Sequence, residues 1–320
     1  MKIFRLLTVT VFTFFMCMTC QSFAEENRKK VIGFIPMTMS NEYFIIMLNA
    51  ARSEAEKQHA ELLVQSGKTH RSGEEQEEII ENMMAKGVDA ICIVPSSGGV
   101  IRKLQKVQDK KIPIINIDTK IDTDIIKRLG LTPIPYIGTN NYEGAKMGGW
   151  YAVRSLGISG KKVAVLIGLS QQQNAKDRWN GFKDIAGDKV RIVAERPANW
   201  EKELGYSVFK DILQKQPDLD FVFACNDNMA LGSVEAIRET GRKNIGEMGY
   251  DGITPALNAI EEGTMAATVA QMPAEMGIKG VRTALELLEG NRVPEITYTE
   301  TKVIDSSNVA EFKAYLNQYR

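Results

Sequence analysis

Histidine is almost absent: His59 and His70 are the only two in 320 residues. His59 falls at a charged helix end and His70 in a polar loop, and no Cys/His pair has metal-ligand spacing. A glycine-rich phosphate loop is missing as well. Gly67-Lys68-Thr69 imitates the tail of one but lacks the upstream glycine. Net charge is missing too, with 40 basic against 40 acidic residues, so there is no field to gather nucleic acid or an anionic membrane. The apolar or small run at residues 6–18 is too short to span a bilayer, which takes roughly 20 residues. Together these absences argue against an enzyme; no cofactor, metal or catalytic residue is expected.

The short apolar run has another explanation. Lys2 and Arg5 precede it, and Ser22-Phe23-Ala24 follows with small residues where a signal peptidase needs them. Residues 1–24 are therefore expected to be a cleaved export signal and drop out of the fold. Cys20 raises a lipoprotein alternative, but Cys17-Met18-Thr19-Cys20 is a poor acceptor sequence. Of the four cysteines, only Cys92 and Cys225 survive cleavage. Both sit in strand-like runs far apart in sequence and are expected to be buried free thiols.

What is present is rhythm. From Lys30 onward, short apolar stretches alternate with helix-favouring ones, the pattern of parallel sheets covered by helices on both faces. The clearest unit is Phe221 to Gly232, where an aromatic-rich strand breaks into Asn226-Asp227 and continues as a helix. Residues 121–135 interrupt the rhythm and read as an irregular excursion, and residues 296–304 as a strand-like tail. The alternation divides into two α/β halves, and a protein of this kind binds at the carboxyl ends of its strands, in the cleft between lobes.

The residues at those ends share a chemistry. The first half supplies Asn41, Tyr43, Phe44 and Asp118; the second supplies Asn141, Lys176, Arg178, Trp200, Asn226, Asp251 and Gln271. Each has a plainer role open to it, as helix cap, turn former or core. Jointly they combine aromatic rings with amides, carboxylates and cations. A sugar needs that combination, because its C–H faces stack on rings while each hydroxyl wants a donor and an acceptor.

On Thr38-Met-Ser-Asn-Glu-Tyr-Phe44, Asn116-Ile-Asp118, Gly138-Thr-Asn-Asn141, Pro197-Ala-Asn-Trp200, the run from Phe223 to Gly232, Gly249-Tyr-Asp-Gly252 and Ala267-Thr-Val-Ala-Gln-Met-Pro273, the chain resembles the periplasmic sugar-binding proteins of the ribose, galactose and allose type, which serve bacterial ABC importers. The resemblance covers about residues 30–304. It implies a type I periplasmic binding protein: two Rossmann-like lobes with parallel sheets, residues 28–139 plus 272–300 and residues 140–271 plus 301–320. Three hinge crossings near Thr139, Gln271 and Glu300 would join them around one monosaccharide. Asn41, Asp118, Asn141, Lys176, Asn226, Asp251 and Gln271 would then bind hydroxyls, with Tyr43, Phe44 and Trp200 sandwiching the ring.

Two positions depart from the ribose-binding pattern: Thr119 follows Asp118 where that pattern has arginine, and Lys176 stands where the family usually has a bidentate arginine, which lysine does not replace faithfully. The resemblance further implies a periplasmic monomer that passes its sugar to a membrane permease, or alternatively presents it to a chemoreceptor or sensor kinase. A sugar-responsive repressor shares the fold, but it would need a DNA-binding segment where this chain has an export signal.

Overall fold

Strands β1 (Val31–Ile35), β2 (Glu61–Val64), β3 (Ala90–Ile93), β4 (Ile114–Ile117) and β5 (Tyr136–Thr139) are joined by helices, and β1, β3, β4 and β5 are buried almost throughout, as strands covered on both faces must be. With β11 (Ile296–Thr299) they form a six-stranded sheet in the order β11-β5-β4-β3-β1-β2. The computed structural model describes residues 28–69, 73–96, 98–242 and 244–320; the expected export signal and His70 lie outside them.

The second sheet repeats the plan with β6 (Lys162–Ile167), β7 (Arg191–Pro197), β8 (Phe221–Ala224), β9 (Gly246–Asp251), β10 (Ala267–Ala270) and β12 (Lys302–Ile304). Its order is β12-β10-β9-β8-β6-β7, parallel except for β12, which runs antiparallel to β10. Each sheet therefore turns back on itself next to its first strand, between β1 and β3 and between β6 and β8. Such a switch point opens a crevice at the strands' carboxyl ends.

Among the helices are α1 (Glu42–Lys57), α2 (Gly73–Ala85), α3 (Gly98–Asp109), α4 (Thr123–Arg128), α5 (Asn141–Arg154), α6 (Gln173–Ala186), α7 (Lys202–Lys215) and α8 (Asp227–Thr240). They are followed by α9 (Thr254–Glu261), α10 (Pro273–Leu288) and α11 (Val309–Leu316). The chain crosses between the sheets after β5, after β10 and between β11 and β12. That last crossing divides the strand-like tail: residues 296–299 extend one sheet and residues 302–304 the other. The excursion at residues 121–135 is also more ordered than its sequence suggests, because Asp122 accepts the Asp124 amide at 2.7 Å and starts α4. Cys92 and Cys225 are free and buried, and burial pushes the Cys225 thiol up to about 12.

One buried acid on the second sheet makes no salt bridge among the described residues. Glu247, on β9, is 3% exposed and meets the Ser233 hydroxyl at 3.2 Å; burial pushes its carboxyl well above the ordinary range. A raised folded-state pKa means the native chain holds one more proton than the unfolded chain above about pH 4.5, so this contribution to stability is lost as pH rises. Glu247→Gln, which does not titrate, is expected to gain on wild type by a margin that widens from about pH 5 to about pH 8 in urea unfolding. A margin independent of pH would show that Glu247 is ionised in the native protein.

Candidate functional site between the lobes

The carboxyl ends of the two sheets face one cavity. It is lined by Met37, Asn41, Tyr43, Phe44, Asp118 and Thr119 from one side, and by Gln172, Asn174, Arg178, Trp200, Asn226, Asp251 and Gln271 from the other. All of these side chains are buried.

Local backbone explains how several are aimed. Asp118 follows β4 directly, Trp200 stands three residues past β7 and Asp251 ends β9, with φ of 62°, 71° and 122°. Such left-handed or extended-positive conformations cost a non-glycine residue about 1–3 kcal/mol each, and they persist where surrounding structure enforces them. The Trp200 ring also needs Gly168, whose added Cβ would lie 2.1 Å from the indole.

The helix-cap and pocket roles of the asparagines prove compatible. Asn41 Oδ1 accepts the Tyr43 amide at 3.0 Å and Asn226 Oδ1 accepts the Met229 amide at 2.9 Å. Both side chains still line the cavity, and Asn226 Nδ2 donates to the Trp200 carbonyl at 3.2 Å.

Arg178 is the electrostatic centre. Its Nε donates to Asn141 Oδ1 at 2.7 Å, and its Nη1 to the Cys225 carbonyl and to Asp251 Oδ1, both at 2.8 Å. The guanidinium lies 4.0 Å from the Tyr250 ring centroid and 5.4 Å from that of Trp200. Burial works against its charge, but Asp251, Tyr250 and Asp118 outweigh it and hold the group above its ordinary value. Burial likewise lifts the Asp251 carboxyl, against the pull of Arg178. Asp118 is served by neutral donors: Tyr43 OH donates to Oδ1 at 2.8 Å and Thr119 Oγ1 to Oδ2 at 3.1 Å. Burial and Asp118 raise Tyr43, so it stays a hydroxyl donor.

Gln271 completes the wall. Its Nε2 donates to Asp251 Oδ1 at 2.7 Å, while its Oε1 is buried with no partner among the described residues. An acceptor in that state is costly unless a donor from a guest reaches it.

Nine of the eleven residues singled out from sequence therefore line this cavity. Two do not. Asn141 stands behind it, orienting Arg178 and donating to the Thr139 carbonyl at 3.2 Å. Lys176 is exposed and faces an adjoining groove with Ser96, Lys120 and Asp122. The guanidinium sits two residues later because α6 turns Asn174, Ala175 and Arg178 to one face and Lys176 to the other. Sequence reading missed Met37, Thr119, Gln172 and Asn174. Gln172 matters most: its Oε1 accepts the Trp200 indole at 2.8 Å and its Nε2 reaches the Ser96 carbonyl of the opposite lobe at 3.3 Å. Its signal was the polar run Gln171-Gln-Gln-Asn174 after β6, another strand end.

The family model described as periplasmic binding protein domain matches residues 32–292. The chain belongs to the periplasmic binding protein family. Among its relatives is a D-ribose/D-allose-binding protein of Pseudomonas aeruginosa, 34% identical over 91% of this chain and 92% of that one. The ribose import binding protein of Escherichia coli is 29% identical over 84% of this chain and 88% of its own length. Among solved structures, an ABC transporter periplasmic solute-binding protein from Actinobacillus succinogenes with bound D-allose aligns with a TM-score of 0.84. It is 31% identical, over 88% of this chain and all of that one. This periplasmic binding protein thus shares with them both the two-sheet architecture and most of its length.

Proposed function

We propose that the protein captures a neutral monosaccharide of the ribose or allose type between its lobes and delivers it to an ABC importer. The observation that carries this reading is the composition of the cavity: aromatic faces from Tyr43, Phe44 and Trp200, carboxylates from Asp118 and Asp251, and a Gln271 Oε1 acceptor with no partner among the described residues, all buried together. Rings for C–H faces and paired donors and acceptors for hydroxyls suit a polyol. Two carboxylates share one guanidinium, so an anionic sugar would enter against charge. The names of the relatives, with ribose or allose as ligand, point the same way.

The lobes in this reading are residues 28–139 plus 272–300 and residues 140–271 plus 301–320. They turn about crossings near Thr139, Gln271 and Glu300, and sugar binding shifts them toward the closed form that the permease recognises. The protein would work as a monomer in the periplasm, exported through residues 1–24. Calorimetric titration with aldopentoses, aldohexoses and their uronates tests it. Binding of a neutral sugar at micromolar or tighter Kd, with uronates at least about 100-fold weaker, is expected. No neutral sugar binding below about millimolar would overturn the assignment.

A further inference from the structure

We propose that Glu42 is a closing residue: from one lobe it caps a helix of the other, and so holds the two together around the ligand. The helix in question, α9, has no cap of its own. The residue before it is Ile253, which offers no side-chain hydrogen bond, and Pro255 has no amide hydrogen to give. What meets its first amide is Glu42 Oε2, which accepts from Thr254 N at 2.7 Å across 212 positions of sequence. A carboxylate at a helix start gains from a charge-assisted bond and from the positive end of the helix dipole.

Its place in the chain ties this contact to the pocket. Asn41, Tyr43 and Phe44 line the cavity, and Glu42 between them faces the seam. A guest that draws Asn41, Tyr43 and Phe44 toward the opposite lobe brings Glu42 onto Thr254 in the same movement. The C-terminal segment braces the junction. Arg320 Nη2 lies 3.4 Å from Glu42 Oε1 and also bonds the Thr254 hydroxyl, while Asn49 of α1 donates to the Tyr319 carbonyl at 3.0 Å. When the lobes part, Thr254 N and Glu42 return to water. The bond therefore counts only in the closed state and shifts the opening equilibrium without strengthening either lobe.

Two variants remove the contact from opposite sides. Glu42→Ala deletes the acceptor. Thr254→Pro deletes the donor at a helix start that favours proline, and Ile253, at φ −73° and ψ 153°, already has the extended conformation a residue before proline adopts. Each is expected to release ligand about fivefold to tenfold faster and to weaken Kd by the same factor, with unchanged melting of the unliganded protein. Because the contact is shared, the double variant should be no weaker than the single ones. This ligand arm rests on the binding reading above, so a second readout is independent of it: paramagnetic relaxation across the seam in protein without sugar, which senses a sparsely populated closed form and is expected to weaken in Glu42→Ala. A wild type that binds no sugar would sink the assignment of ligand and leave the relaxation comparison to decide the latch. Unchanged relaxation with unchanged release, or losses that simply add in the double variant, would overturn the proposal.

Discussion

Arg178→Ala is expected to abolish sugar binding, weakening it by at least about 100-fold, and to lower the melting temperature on the order of 10 °C. The size follows from what the guanidinium holds. It is 3% exposed and bonds Asn141 Oδ1, the Cys225 carbonyl and Asp251 Oδ1 at once. Deleting one member of a buried ion pair costs about 3–5 kcal/mol, because a buried carboxylate is left without its compensating charge. Here two carboxylates, Asp118 and Asp251, lose the cation whose field both feel. Arg178→Lys separates the contributions of charge and of geometry. It should recover much of the stability, since a cation remains, yet little of the affinity, since an ammonium lacks the planar fork that reaches its acceptors while stacking on Tyr250. Calorimetry and thermal melts on both variants provide the check. Near-wild-type affinity in Arg178→Ala would remove the guanidinium from the site.

Arg178 also marks where sequence reading succeeds and where it stops. Near-continuous apolar strands ending in polar residues, as at Phe221–Ala224 followed by Asn226, are written locally, because a strand buried on both faces has no room for polar side chains until it ends. That made both lobes and most of the pocket legible. Helix phase was harder. Lys176 and Arg178 are two positions apart, and which of them faces the cavity depends on α6 beginning at Gln173, a boundary that a run of three glutamines blurs. Asn141 reads as a pocket amide, whereas its oxygen is spent on Arg178. Glu42 looks like an ordinary acid in a first helical turn; its partner amide lies in another lobe and nothing local announces it. Residues 296–304 read locally as one strand, and only the family resemblance put a crossing near Glu300, because each half pairs with a distant strand, Ile296 with Tyr136 and Ile304 with Thr268.

Asp227→Ala is expected to lose at least about 3 kcal/mol of stability and tenfold or more in affinity, although Asp227 never touches the cavity. Its side chain is fully buried and collects three donors: Oδ2 accepts from Gly252 N at 2.7 Å and Ile253 N at 2.9 Å, and Oδ1 from Thr268 Oγ1 at 2.7 Å. The fit is close, since a Cβ on Gly249 would lie 2.1 Å from Oδ1. The two amides belong to the turn immediately after Asp251, whose φ of 122° has to be imposed from outside. Asp227 is thus what keeps the Asp251 carboxylate on Arg178 and Gln271. Truncation strands three buried donors, each worth about 1–3 kcal/mol when unpaired, and frees the turn.

Asp227→Asn distinguishes geometry from charge at this position. Its amide oxygen can take both backbone donors, and its NH2 can face Thr268 once that hydroxyl rotates to accept. Burial and the nearby Asp251 charge push the Asp227 carboxyl up to about 8 against the pull of its donors, so a neutral side chain is no stranger to the site. Asparagine should therefore keep most of the stability and affinity that alanine loses, as read by urea unfolding and calorimetry. Equal losses in both variants would mean that the negative charge, rather than the reach of two oxygens, holds the turn. A neutral alanine variant would mean that Asp251 is positioned by Arg178 and Gln271 alone.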